Sequence, residues 1–228
     1  MNPAAWIRPD WPAPPNVHAF VTTRDIDFGA GARGREEILE LVPSMPRWMK
    51  QVHGAEVADL DAPGPAPITS DAAVTSQPGT VAVVLTADCM PVLLCDDGGR
   101  RVGIAHAGWR GMAAGVIENT VHSLDADPAR VIAWLGPAIG PRAFEVGEDV
   151  REAFLGADPG AGAAFVARSG GKYLADLYAL ARQRLARAGV ARVTGGGFCT
   201  FQERERFFSY RRGKEPGRMG AFIWREAP

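Results

Sequence analysis

AVVLTADCMPVLLCDDGGRRVGIAHA, residues 82–107, contains three short apolar runs separated by two breaks. Residues 82–86, 92–95 and 102–105 are rich in aliphatic and β-branched side chains and are too short for helices, so each reads as a strand. Between the second and third lies Asp96-Asp97-Gly98-Gly99. Asp and Gly tolerate positive φ, so this reads as a tight hairpin turn, and the two flanking runs become antiparallel neighbours.

Working outward, residues 131–135, 207–210 and 221–224 (VIAWL, FFSY and AFIW) give three more strand signals of the same kind. Helix signals are fewer. Asp176 is placed to cap a helix through Ala188, with Leu177, Leu180, Ala181, Arg184 and Leu185 at helical spacing and Gly189 as the stop. A second helix is expected over 111–124, a third over 36–42 and a fourth over 147–155. Residues 61–69, DAPGPAPIT, are Pro-rich and read as a loop. Hairpin-linked strands without regular helix alternation point to an α+β fold, and the absence of internal repeats favours one domain over 1–228.

The composition narrows the function classes. Twenty-five Lys and Arg against 26 Asp and Glu leave no field to draw nucleic acid or an anionic membrane, so a small-molecule partner is expected. No apolar run approaches the ~20 residues of a membrane span, and residues 1–15 lack a signal-peptide pattern, so a cytoplasmic protein is expected. Cys89, Cys95 and Cys199 are too few for a disulfide framework.

Three short segments carry candidate chemistry: KQVHG with His53, TADCMP with Cys89, and IAHAGWRG with His106. Each sets one possible ligand at the end of an apolar run beside Gly or Pro, where a scaffold aims side chains into a shared pocket. Two imidazoles and a thiolate suit zinc, which takes three protein ligands in catalytic sites and keeps a fourth position for water. The residue types alone leave open that Cys89 is a small buried hydrophobe and each His a satisfied polar group. Asp71 and Asp88 are candidates to orient a ligand His or to move protons; Asp71 is preferred, because neighbours on a strand face opposite ways and Asp88 would share the Cys89 pocket only at a break. Gln51, two positions from His53, would share its face on a strand and touch substrate. Arg24, Arg110 and the pair Arg211-Arg212 are candidate anion contacts, since the guanidinium fork suits phosphate. Three glycines lead to Cys199, where backbone passes close to substrate or simply turns tightly; Cys95 reads as core, and His18 and His122 read as non-ligands.

The strings KQVHGAEV, TADCMPVLL, IAHAGWRGMAAGVIENTV, LGPAIGPRAFEVG and FFSYRR followed by GRMGAFIW resemble, in order, the laccase-domain family, also called YfiH or FAMIN-like, across about residues 17–224. That resemblance implies a mixed or antiparallel β-sandwich-like core flanked by helices, similar to the catalytic part of a bacterial cytotoxic necrotizing factor. It implies a zinc site, with copper an alternative ion, on His53, Cys89 and His106. It further implies phosphate-dependent cleavage of adenosine, inosine, guanosine and methylthioadenosine, together with adenosine deamination, by a monomer or homodimer that takes a nucleoside and phosphate. Arg24 and Arg211 fall in its motifs. The family's Gly-Gly-Val-Ser after Thr-Thr-Arg is replaced here by residues 25–29, DIDFG, a change in a loop that could close over substrate. Two other classes remain: a cysteine hydrolase editing peptidoglycan precursors, with Cys89 as nucleophile, and a nucleotide-binding module with structural zinc. A true multicopper oxidase is excluded, because four histidines are too few for its copper ligands.

Overall fold

The computed structural model describes residues 6–63 and 68–227. Strands run at Trp6–Ile7 (β1), Val17–Thr22 (β2), Met49–Lys50 (β3), Val57–Asp59 (β4), Ile68–Thr69 (β5), Ala72–Thr75 (β6), Ala82–Thr86 (β7), Met90–Asp96 (β8), Val102–Ala107 (β9), Val131–Leu135 (β10), Glu145–Gly147 (β11), Phe165–Arg168 (β12), Lys172–Ala175 (β13), Arg192–Gly195 (β14) and Met219–Arg225 (β15). The α-helices are Gly34–Glu37 (α1), Trp109–Ala113 (α2), Val116–Ser123 (α3), Glu148–Leu155 (α4), Leu177–Arg187 (α5) and Tyr210–Gly213 (α6). The fold is α+β, as expected.

Two sheets make the sandwich. One has six strands in the order β14-β10-β8-β9-β6-β4, antiparallel except for the parallel pairs β10–β14 and β4–β6. The other is fully antiparallel, β1-β2-β15-β7, and its inner strand β15 arrives from the far end of the sequence to pair with both β2 and β7. Alternation along β8 shows how the layers bind. Met90, Val92 and Leu94 face a core closed by α3 and α5, while Leu93 and Cys95 face the four-stranded sheet through Val21, Val84, Ala221 and Ile223. Burying one such aliphatic side chain contributes roughly 1.5–3 kcal/mol, and a one-residue slip would exchange the two faces, so register is fixed from both sides. The outer face of the four-stranded sheet carries an aromatic layer in which Phe222 stacks on Phe20 at 5.0 Å and meets Phe28 at 5.5 Å.

The hairpin at 96–99 forms as read, with β8 and β9 antiparallel and Gly99 at φ 62°. The Asp96 carboxylate holds it by accepting from the amides of Gly98, Arg100 and Arg101. Asp176 caps α5 through the amide of Ala179, and Gly189 ends the segment at φ 86°. Three expectations are corrected. The helix over 111–124 is two helices, because Gly115 at φ 96° breaks the ladder between α2 and α3. Residues 207–210 are not a strand: Phe207 is a fully buried plug, and Ser209 caps α6 by accepting from the amide of Arg212. The helix over 36–42 is a turn of α1 followed by a 3-10 turn at Ile38–Glu40. Within the loop 61–69, residues 64–67 lie outside the described residues, and its last two residues are β5.

Candidate metal centre

Three segments, next to the ends of β3, β8 and β9, converge at one point. β9 delivers His106 near its C-terminal end, directly opposite Pro91 in the β8 register, while Cys89 occupies the bend just before β8. His53 lies in the loop after β3, in a left-handed conformation, φ 61°, that non-glycine residues adopt rarely. Asp71 explains that conformation. Its carboxylate accepts from the amides of Val52 (3.0 Å), His53 (2.9 Å) and Gly54 (2.8 Å), which clamps the loop around one buried side chain. The same carboxylate accepts from His106 Nδ1 at 2.8 Å, and the Asp71 carbonyl accepts from the His106 amide at 2.7 Å. One residue therefore orients both imidazole-bearing segments, and with Nδ1–H committed to Asp71 the Nε2 of His106 is left for the pocket.

The charges reinforce one another. Burial acts to raise the Asp71 carboxyl, but His106 and the amides of Gly54 and Val52 outweigh it and bring it down to about 2. Burial likewise opposes a charged His106, yet the Cys89 thiolate and Asp71 raise it to about 9. For Cys89, burial is overcome by the His106 charge and by hydrogen bonds from both histidines, which bring the thiol down to about 6. Each group thus favours the charged form of the other, a thiolate beside an imidazolium. Cys95, by contrast, is pushed up to about 12 by burial and remains an inert core thiol.

The donor set fits a metal. Ligand atoms of His53, Cys89 and His106 all lie within 4.8 Å of one another, and the two rings meet edge-on at 4.9 Å. Two ligands of one zinc sit roughly 3.3–3.8 Å apart, so at most about 1.5 Å of side-chain closure brings them onto an ion. Gly108 leaves the room: a Cβ there would stand 2.7 Å from Cys89 Sγ and 3.3 Å from a His53 ring carbon. His18 stacks on Trp224 at 5.4 Å, and His122 lies exposed on α3; both are away from the triplet, as read.

A cavity of about 660 Å³ opens over the triplet. Met49, Leu85, Trp109, Ile139, Phe144 and Tyr210 give it apolar and aromatic walls, and Arg110, Arg211 and Arg218 add three cations. Of the expected anion contacts, Arg110 lines the cavity with its guanidinium 4.4 Å over the Trp109 ring, and Arg211 lines it while donating to the Glu145 carbonyl at 2.7 Å. Arg24 lies elsewhere. It donates to the Arg204 carbonyl and covers the Phe208 ring, apart from the cavity lining. Arg212 is engaged by Glu215 and by the carbonyls of Thr200, Phe201 and Phe207. Gln51 does line the cavity, but not from a strand, and its amide is committed in both directions to the Leu85 backbone. Asp88 reaches the cavity because the backbone breaks there, at φ 89°, yet its carboxylate accepts from Thr200, Ser209 and the Arg211 amide and orients no histidine.

Cys199 belongs to a different hollow, where its sulfur accepts from the Gly140 amide, so the glycines before it serve a turn: Gly195, Gly196 and Gly197 all have positive φ. Residues 25–29 do not reach over the cavity as a lid. Ile26 and Phe28 are buried in the aromatic layer, and Asp27 accepts from the Arg218 amide. Arg218, Trp109 and Tyr210 were not singled out from the sequence. The available signal was an Arg immediately before an apolar strand, GRMGAFIW, and an aromatic beside each motif Arg.

A family model described as multi-copper polyphenol oxidoreductase laccase matches residues 32–226. The purine nucleoside phosphorylase YfiH of Escherichia coli K12 is 48% identical over 96% of this chain and 98% of its own length. A purine nucleoside phosphorylase of Pseudomonas aeruginosa is 46% identical over the same shares. Among solved structures, a Neisseria meningitidis protein superposes with a TM-score of 0.91 at 41% identity, covering 98% of this chain and all of that one. YlmD from Geobacillus stearothermophilus gives a TM-score of 0.88 at 27% identity, covering 100% of this chain and 98% of that one.

Proposed function

This chain belongs to the multi-copper polyphenol oxidoreductase laccase family, and from that premise we propose that it is a zinc-dependent purine nucleoside phosphorylase that also deaminates adenosine. The observation that carries the reading is a cavity in which a His-Cys-His triplet, aromatic walls and guanidinium groups without a carboxylate partner among the described residues meet. The word laccase does not transfer as chemistry, because only two of the four histidines stand at the site. Zinc is the ion best matched to two imidazoles and one thiolate, with copper the alternative at the same ligands.

His53, Cys89 and His106 would hold the ion, and Asp71 would keep His106 in the tautomer that presents Nε2. Such an ion supplies positive charge for polarising a substrate atom and for bringing the pKa of bound water toward neutrality. The walls formed by Trp109, Phe144 and Tyr210 suit a flat purine, and Arg110 and Arg211 suit an oxyanion. In phosphorolysis the C1′–N9 bond breaks with its electron pair passing to the purine, a phosphate oxygen bonds to C1′, and the departing base takes a proton. The products are the free base and ribose 1-phosphate, or 5-methylthioribose 1-phosphate from methylthioadenosine. Adenosine, inosine, guanosine and methylthioadenosine form the substrate class. Deamination of adenosine would use the same cavity, with water in place of phosphate and ammonia as the leaving group.

The test is chromatography of products from metal-replete protein given adenosine or inosine, with and without phosphate, beside a Cys89→Ala control. Base release that requires phosphate and is lost in the control is expected, and phosphate-independent inosine formation would report deamination. Equal products from the control would overturn the reading. A second reading rests on the Cys89 thiol held at about 6, which also suits a nucleophile in a cysteine hydrolase. Activity that survives a chelator but not alkylation would favour it, because ligation and attack compete for one thiolate.

A further inference from the structure

Three guanidinium groups line the cavity, and none is ion-paired among the described residues. Two of them are anchored in the same manner. The Arg211 amide donates to Asp88 Oδ2 at 2.7 Å, and its Nη1 donates to the Glu145 carbonyl at 2.7 Å. The Arg218 amide donates to Asp27 Oδ1 at 2.9 Å, its carbonyl accepts from the Phe28 amide at 3.0 Å, and its Nη1 donates to the carbonyls of Glu215, Pro216 and Gly217. In each arm a carboxylate fixes the backbone and carbonyls fix one guanidinium nitrogen, without cancelling the side chain's charge. Preorganised, uncompensated cations of this kind bind a compact dianion with little ordering cost.

Asp88 is the more heavily committed anchor. It adjoins Cys89, and besides the Arg211 amide it accepts from Thr200 Oγ1 at 2.6 Å and Ser209 Oγ at 3.1 Å, while its carbonyl accepts from the Ile139 amide at 2.9 Å. A non-glycine residue held at φ 89° with every carboxylate oxygen engaged is backbone fixed for a purpose. It sets the Arg211 arm at a constant offset from the Cys89 sulfur.

We propose that Arg211 and Arg218 form a two-armed clamp for the phosphate co-substrate, and that Asp88 and Asp27 are positioning residues that fix its arms. The proposal rests on the phosphorolysis reading for its ligand. It also assigns the departure at residues 25–29 a role, in that Asp27 sets the second arm in place of a closing lid. Arg110, stacked on Trp109, stands apart from these two anchored arms.

The test titrates inorganic phosphate alone into full-length, metal-replete protein by calorimetry, and then measures KM for phosphate and for nucleoside separately. Arg211→Gln and Arg218→Gln should each weaken phosphate binding by about tenfold or more, the worth of one charge-assisted hydrogen bond. Metal content and nucleoside KM should stay near those of the wild type. Asp27→Ala removes the acceptor of the Arg218 amide, and Asp88→Asn takes the charge from that of the Arg211 amide; both should raise the phosphate KM selectively. If Asp88→Asn does not fold, Ser209→Ala probes the same link from its other end. Wild-type affinity for phosphate in Arg218→Gln, or an equal rise in both KM values in the Asp variants, overturns the clamp. Phosphate that binds the wild type through both arms, yet is not needed for base release, would support the clamp and sink the phosphorolysis reading instead.

Discussion

Gly108→Ala isolates the metal site from the fold. Gly108 precedes α2 at φ −69° and ψ 162°, backbone that any residue adopts, so alanine brings no conformational strain. In an open position such a change would stabilise by ~0.4–1 kcal/mol through the unfolded chain. Here the new methyl would meet Cys89 Sγ at 2.7 Å, against 3.4 Å for ordinary contact, so the sulfur must retreat by about 0.7 Å. Metal–ligand distances tolerate only about 0.2 Å, so a sulfur displaced this far no longer shares an ion with the two imidazoles on equal terms. Metal affinity is expected to drop at least 10–100-fold, or ~1.4–2.7 kcal/mol, while the melting temperature of metal-free protein holds or rises slightly. Competition against a chromogenic chelator measures the first quantity and circular dichroism the second. Wild-type zinc affinity in Gly108→Ala would refute the assignment of Cys89 Sγ as a ligand.

Asp71→Asn should cost zinc affinity by a similar 10–100-fold and also destabilise metal-free protein by roughly 1–3 kcal/mol, because three amides and an imidazole lose their charged acceptor; unchanged values of both would contradict the role given to Asp71. In metal-free protein the Cys89 contribution is complete above the ordinary thiol value of 9.0 and is lost as pH falls through about 6, whereas that of His106 is complete below 6.5 and is lost as pH rises through about 9. The stability advantage of wild type over Cys89→Ala should therefore be largest between about 6 and 9 and decline on both sides, and denaturant melts giving a flat difference would exclude the ion pair. Within that window zinc must displace the extra proton of His106, so calorimetry in buffers of unlike ionisation heat should report about one proton released from it per ion bound. Phe207→Ala, which empties a fully buried site at the foot of α6, should destabilise by about 3–5 kcal/mol in a urea melt.

The residues whose roles were legible in the sequence are those fixed by neighbours in the chain. The 96–99 turn and the span from Asp176 to Gly189 carry their own stop and start signals, and the three candidate ligands that the fold brings together stand beside Gly or Pro. Asp71 was legible as a second-rank candidate because a ligating imidazole needs an acceptor, although nothing local said that it would also gather the amides of 52–54. What escaped was set across the sheet. FFSY has strand composition, but Ser209 finds a capping role and Phe207 a burial site that only the folded chain provides. Arg24 and Arg218 are both plausible cations in sequence; the carbonyl of Arg204 and the carboxylate of Asp27 decide which one reaches the cavity. The helical pattern over 111–124 runs through Gly115, whose positive φ splits it in two.

The position of β15 has a consequence for synthesis on the ribosome. Because it inserts between β2 and β7, the second sheet lacks its middle member until residue 225 has left the exit tunnel, and two earlier strands wait with unsatisfied edges. Residues 53, 71, 89 and 106 emerge well before that. The β8–β9 hairpin and its Asp71 brace therefore have time to associate while the chain is still growing, ahead of the sheet that β15 completes.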